Sequence, residues 1–120
     1  MANRRRLVQK EREAVYNKMS GRCAYCGEPI GFCAMQVDHV IPLRKGGEDT
    51  LENMMPACRS CNRYKSTLTV EQFRAAVERM PEVLMRDSVT YKIAARFGVV
   101  FPVPKQVEFY FERREKPEGD

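Results

Sequence analysis

Residues 23–26 read Cys-Ala-Tyr-Cys and residues 58–62 read Cys-Arg-Ser-Cys-Asn, with Val37-Asp38-His39-Val40-Ile41-Pro42 between them. Two Cys-x-x-Cys pairs supply four thiolates, the number a closed tetrahedral zinc site requires. The reading is therefore a structural Zn²⁺ held by Cys23, Cys26, Cys58 and Cys61, with a long insert between the pairs that suits a turn-plus-helix knuckle. Such an ion contributes on the order of 10 kcal/mol to folding. Two unrelated buried thiol pairs are the alternative. A redox reading lacks the βαβ context that thioredoxin-like motifs need. The fifth cysteine, Cys33, reads as a free thiol outside the set.

From this frame the rest of the chain is bounded. A chain of 120 residues gives one compact domain, or a small motif with a supporting extension, and a modest core that a metal staple would strengthen. Reduced, metal-bound thiols and the lack of a membrane-length apolar run suit a soluble, cytoplasmic protein with no membrane partner. The net charge of +5 is unevenly placed: residues 1–65 hold 12 Lys/Arg against 7 Asp/Glu, and residues 66–120 hold 9 of each. The excess positive charge travels with the cysteine-bearing part, as expected if that part faces phosphates.

Periodicity organises the chain. Leu7, Val15 and Met19 follow a helical repeat over 4–19, with Gly21 as a stop, and Arg4, Arg5, Arg6, Lys10 and Arg12 give that helix a basic face or arm. Residues 34–41 are β-like, and Lys45-Gly46-Gly47-Glu48-Asp49 is a flexible turn. A helix begins within 58–65 and carries the second cysteine pair. Thr69 and Gln72 suit a capping box for a helix over about 70–80, and a second helical stretch runs from Pro81 to near Gly98. Val107, Phe109 and Phe111 alternate with Glu108, Tyr110 and Glu112, which predicts a half-buried strand. The residues after Lys116 read as a disordered tail.

The only histidine, His39, lies inside the cysteine frame and directly follows Asp38. Asp-His, then Gly46-Gly47, then Asn53, then Asn62 after the last cysteine resembles the motif of HNH endonucleases over about residues 23–65. The resemblance implies the ββα-metal finger fold and a divalent-metal-dependent DNA endonuclease. The whole is then α+β: a small finger stapled by a four-cysteine zinc site, a leading basic helix and a helix-helix-strand extension. The implied roles are His39 as the general base that takes a proton from water, Asp38 and Asn62 as ligands of one catalytic Mg²⁺ or Mn²⁺, and Asn53 as the residue that orients the loop and the histidine. The implied products carry 5′-phosphate and 3′-hydroxyl ends.

Local geometry adds two constraints. Neighbours on a regular strand point to opposite faces, so Asp38 and His39 can address one phosphate only where the strand ends or bends. Cys58, Cys61 and Asn62 share one side of a helix, so the zinc site would fix the helix carrying Asn62. Arg44, Lys45, Arg59, Arg63 and Lys65 are the candidate DNA-phosphate contacts, with solvated surface as the alternative, and Tyr64 is expected to pack under the finger, with stacking on DNA as the alternative. The divisions are a finger with its leading helix over 1–68, an extension over 69–116 that packs on the finger or forms a homodimer, and a tail over 117–120. The competing functional class is a zinc-finger nucleic-acid-binding module that cleaves nothing, and a third is an interaction protein built on the extension.

Overall fold

The computed structural model describes residues 6–115, and at its centre two four-residue strands pair antiparallel. Strand β1 (Gln36–His39) lies against β2 (Met54–Ala57) with Gln36 opposite Ala57, Val37 opposite Pro56, Asp38 opposite Met55 and His39 opposite Met54. Helix α2 (Arg59–Lys65) follows β2 directly and is capped by Cys58, whose Sγ accepts from the Cys61 N–H at 3.4 Å. Strand, strand and helix in this order make the expected ββα finger.

Helix α1 (Gln9–Asn17) supports the hairpin from one side. Its first turn is closed by Glu11, which accepts from the Val8 N–H at 3.2 Å. It ends at Asn17, just before the left-handed Ser20 (φ 52°) and Gly21 (φ 81°), so the element is shorter than the 4–19 periodicity predicts. Arg4 and Arg5 lie outside the described residues. Val15 on α1 packs with Met35 and Met54, and Leu7, Tyr16, Ile30, Val37 and Leu51 surround them. Each such side chain contributes about 1.5–3 kcal/mol by leaving water. Arg12, expected on the basic face, and Lys18, which follows the last residue of α1, both bind backbone of the finger. Arg12 donates to the carbonyls of Phe32 (3.1 Å) and Met35 (3.3 Å), and Lys18 donates to those of Leu51 and Met54.

The long connection between the strands is folded back by its glycines. Gly46 has φ 89° and ends a single 3-10 turn, Leu43–Lys45. A Cβ on Gly47 would lie 1.8 Å from the Ile41 carbonyl oxygen, so only glycine lets the two backbones approach. Asn53 fastens the same loop: its Oδ1 accepts from the Ile41 N–H (2.9 Å), and its Nδ2 donates to the carbonyls of Ile41 (2.9 Å) and Glu48 (2.8 Å).

The chain divides into two units: the chain up to Val70 together with Glu108 onward, and Glu71–Val107. The split differs from a boundary near 68 followed by one continuous extension, because the last described segment returns to the finger. The strand predicted over Val107–Phe111 is absent. Phe109 is buried, and its ring and that of Phe111 meet the Tyr25 ring edge-on at 5.2 and 5.9 Å. The N–H groups of Tyr110 and Phe111 donate to the carbonyls of Tyr25 (3.0 Å) and Ala24 (2.8 Å). Glu112 reaches back to accept from the Phe109 N–H at 2.8 Å, the glutamate half of a capping box, at the start of a helix. The segment therefore becomes α6 (Tyr110–Glu115), and the alternating aromatics clamp a loop instead of lining a sheet.

In the second unit, helix α3 (Val70–Glu78) continues toward α4 (Met80–Asp87) and α5 (Val89–Arg96). The single helix expected from Pro81 to Gly98 is broken at Ser88, whose hydroxyl accepts from the Tyr91 N–H at 3.1 Å and caps α5. Arg74 and Glu78 hold the backbone of Val107 at 2.7 and 2.8 Å, which ties the exit of this unit to its first helix. The predicted tail over 117–120 lies outside the described residues.

Candidate functional site

The four cysteines predicted to bind metal converge. Their sulfur atoms all lie within 4.8 Å of one another. Cys26 and Cys58 are 3.8 Å apart, and a tetrahedron with metal–sulfur bonds of about 2.3 Å has edges of roughly 3.8 Å. The Tyr25 and Cys61 N–H groups each point at a sulfur, Cys23 and Cys58 respectively, at 3.4 Å. The turn is closed by Gly27 N–H on the Cys23 carbonyl (3.0 Å) and fastened to β2 by Ala24 N–H on the Pro56 carbonyl (2.8 Å). Hydrogen bonding from Cys61 pulls the Cys23 thiol down to about 4, and the same bond pushes Cys61 far up. Four sulfurs this close can all ionise only around a positive charge, so the donor set fits a thiophilic divalent ion. Cys33 is exposed and stands apart from the group.

Asp38 and His39 are both buried, at 2% and 5% exposure, but they turn to different partners. Asp38 faces Tyr25 and α2: the Tyr25 hydroxyl donates to Oδ2, and Lys65 Nζ lies 3.2 Å from each carboxylate oxygen. Burial raises the Asp38 pKa, opposed first by the Tyr25 hydrogen bond and then by the Lys65 charge. The same environment, and burial above all, pushes the Tyr25 hydroxyl up, so Tyr25 remains the donor. His39 turns instead to the loop before β2, with Nε2 2.8 Å from Asp49 Oδ1. It also borders an open cleft of about 460 Å³ lined by Arg6, Leu7, Arg12, Met35, Val37 and Met54 among others. Period-two alternation thus prevails at the strand end, and the two side chains do not address one point.

Several of the other expected site residues are placed differently. Lys65, predicted to touch DNA, has 0% exposure; besides Asp38, its Nζ donates to the His39 carbonyl at 3.1 Å, so this cation is consumed inside the finger. Arg44, Lys45, Arg59 and Arg63 are exposed. Tyr64 is 66% exposed rather than packed under the finger, because the helix turns Lys65 inward in its place. Asn62 is half-buried, one turn before Lys65 on α2. In this arrangement the Lys65 ammonium lies against the carboxylate that the family pattern assigns to a catalytic cation.

Tyr25 and Asp49 have no role in the sequence reading, and Lys65 has one only as a DNA contact. Tyr25 sits within the first cysteine pair, which drew attention to its flanking sulfurs. Lys65 ends a run of apparently surface cations. Asp49 lies in a Gly-Gly turn that read as flexible, and nothing in its spacing pointed back at His39.

The hairpin, the helix and the four-cysteine cluster define a ββα-metal finger. Residues 23–68 match the HNH endonuclease family, in agreement with the resemblance read from Asp38, His39, Asn53 and Asn62. A 45-residue stretch is 42% identical to the CRISPR-associated endonuclease Cas9 of Corynebacterium diphtheriae and 40% identical to that of Actinomyces naeslundii. Either match covers 37% of this chain and 4% of the relative, so the chain spans a small fraction of those proteins. The crystal structure of the Type II-C Cas9 enzyme from Actinomyces naeslundii superposes with a TM-score of 0.52 at 24% identity, over 62% of this chain and 8% of that one. That likeness concerns the fold. No helix among the described residues is long and apolar enough to cross a membrane.

Proposed function

We propose that the finger is a DNA endonuclease in which His39 is the general base, with Zn²⁺ held by Cys23, Cys26, Cys58 and Cys61 as a structural ion. The observation that carries the reading is the position of the only histidine: at the end of β1, inside the family-matched segment, held by Asp49 and bordering a cleft. A neutral imidazole accepts a proton from water as the water oxygen bonds to phosphorus. The bond from phosphorus to the leaving 3′ oxygen breaks, and that oxygen gains a proton. The products are a 5′-phosphate and a 3′-hydroxyl. General-base catalysis of this kind is worth about 10²–10⁴ in rate. The exposed Arg44, Lys45, Arg59 and Arg63 would hold the DNA backbone, and Asn53 keeps the loop beside His39 in place.

The family pattern adds Mg²⁺ or Mn²⁺ on Asp38 and Asn62. Lys65 holds that carboxylate here, so His39, Asp49 and the surface arginines carry the argument and no step is assigned to that ion. The same Lys65–Asp38 pair favours a second reading, a zinc-stapled DNA-binding module that cleaves nothing. Incubating supercoiled plasmid with the protein and Mg²⁺ separates them. The endonuclease reading expects nicked or linear product from wild type and its loss in His39→Ala at unchanged zinc content. Equal cleavage by both proteins would remove His39 as base, and DNA binding without cleavage by either would leave the binding module.

A further inference from the structure

We infer that Asp49 is a positioning residue for His39: it fixes the imidazole as the Nε2–H tautomer and so presents Nδ1 as the nitrogen that takes the proton. The inference rests on the endonuclease reading for its purpose, but its geometry stands alone. A carboxylate only accepts hydrogen bonds when ionised, so the 2.8 Å contact between His39 Nε2 and Asp49 Oδ1 places the ring proton on Nε2. The lone pair of the neutral ring is then on Nδ1. A ring nitrogen held in this way loses both its tautomeric and its rotational freedom, as for metal-bound and triad histidines whose second nitrogen meets a carboxylate.

The contact is built rather than incidental. Asp49 follows Glu48, whose carbonyl is held by Asn53 Nδ2 at 2.8 Å, and the same Asn53 clamps both backbone groups of Ile41, two residues beyond His39. The Val40 N–H donates to the Asn53 carbonyl at 2.9 Å. Gly47 allows the loop to cross against the Ile41 carbonyl, where any side chain would collide. Asn53 and Gly47 therefore bring Asp49 back across ten residues of chain onto the ring. Besides Asp38, Lys65 meets the backbone carbonyl of His39 and not its ring, and Asp49 meets the ring. At 25% exposure, the Asp49 side chain can be truncated without leaving a buried cavity.

One histidine in the sequence makes the test direct. Full-length, zinc-loaded protein labelled with ¹⁵N in histidine gives the two ring nitrogens of His39 alone. At alkaline pH, where an imidazole is neutral, wild type is expected to show one protonated nitrogen, Nε2, and one bare nitrogen, Nδ1. Asp49→Ala, and Asp49→Ser, whose hydroxyl is too short to reach the ring, are expected to move both shifts toward the averaged values of exchanging tautomers. Turnover of plasmid should fall about 10–100-fold with little change in KM, and Asp49→Asn, which keeps an acceptor oxygen, should restore most of both. An unchanged single-tautomer spectrum in folded Asp49→Ala or Asp49→Ser, or a wild-type ring protonated on Nδ1, overturns the inference. A wild type that shows the fixed Nε2–H ring but cuts no DNA overturns instead the endonuclease reading, and with it the catalytic purpose of the contact.

Discussion

Replacing Lys65 by Met removes an ammonium group from a place that water does not reach. Lys65 and Asp38 have 0% and 2% exposure, and Nζ lies 3.2 Å from both carboxylate oxygens and 3.1 Å from the His39 carbonyl. Methionine fills nearly the same volume, so packing is kept while the Asp38 charge loses its counter-ion and retains only the Tyr25 hydroxyl. Removing one partner of a buried pair costs about 3–5 kcal/mol. Against a total stability of roughly 5–15 kcal/mol, that is a large share, and it lowers Tm by about 10–20 °C for a chain of this size. The sign with pH follows from the raised Asp38 pKa. The folded state binds this proton more tightly than the unfolded chain. The group therefore favours folding below the ordinary carboxylate pKa of about 3.9, and that contribution is lost as pH rises through the folded value. Losing Lys65 moves the folded value higher still, so the deficit of Lys65→Met relative to wild type should be full at neutral pH and shrink on acidification. Urea unfolding of zinc-loaded wild type, Lys65→Met and Asp38→Leu/Lys65→Met, compared at each pH, reads this directly. The double variant should recover most of the loss, since a buried pair replaced by apolar groups is often neutral. A deficit under about 1 kcal/mol at pH 7, or one that does not change with pH, would refute the buried pair as an energetic unit.

Three other outcomes follow from named contacts. Cys61→Ser should lose bound metal and the cooperative fold together, because an ion worth on the order of 10 kcal/mol is released; metal analysis and circular dichroism on the same sample check it. Gly47→Ala should destabilise the finger by at least about 2 kcal/mol and expose the amides of Val40 and Ile41, which donate to Asn53, to hydrogen exchange, since its methyl would overlap the Ile41 oxygen. Intact exchange protection would show that the loop relaxes around it. Arg59→Ala/Arg63→Ala should weaken DNA binding and reduce the slope of log K against log salt by about 2, one per phosphate contact. An unchanged slope would make these two arginines solvated surface.

The parts of the fold that could be read in advance are those whose determinants are local in sequence. Cys58 and Cys61 announce both a metal and a helix start, because an N-cap sulfur and a ligand use the same spacing. Gly46-Gly47 announces a reversal, and the hydrophobic repeat through Val15 announces a core-facing helix. The inward turn of Lys65 was hidden because burial of a lysine depends on a carboxylate 27 positions away and an aromatic ring 40 away, and no local pattern encodes that meeting. Val107–Phe111 failed for a related reason. Alternation states that every second side chain is buried, but not whether the partner is a strand or a loop, and here the partner is the turn at Ala24 and Tyr25. Asp49 was missed because its partner lies across a loop whose path is set by Asn53, not by periodicity.

The clamp of Phe109 and Phe111 on Tyr25 has a consequence for the order of synthesis. All four clustered cysteines have been made once residue 61 is added, yet the aromatic cover of the first knuckle belongs to residues 109–111, after the whole of Glu71–Val107. At about 5–20 residues per second, the ribosome leaves Tyr25 without this cover for about 2–10 s, while its hydroxyl is already needed beside Asp38. During that interval the thiols and the emerging apolar helices are presented to the same surroundings. With the proposed zinc, timely capture would close the knuckle before its own lid has been translated, and delayed capture would leave open sulfurs beside unfinished chain.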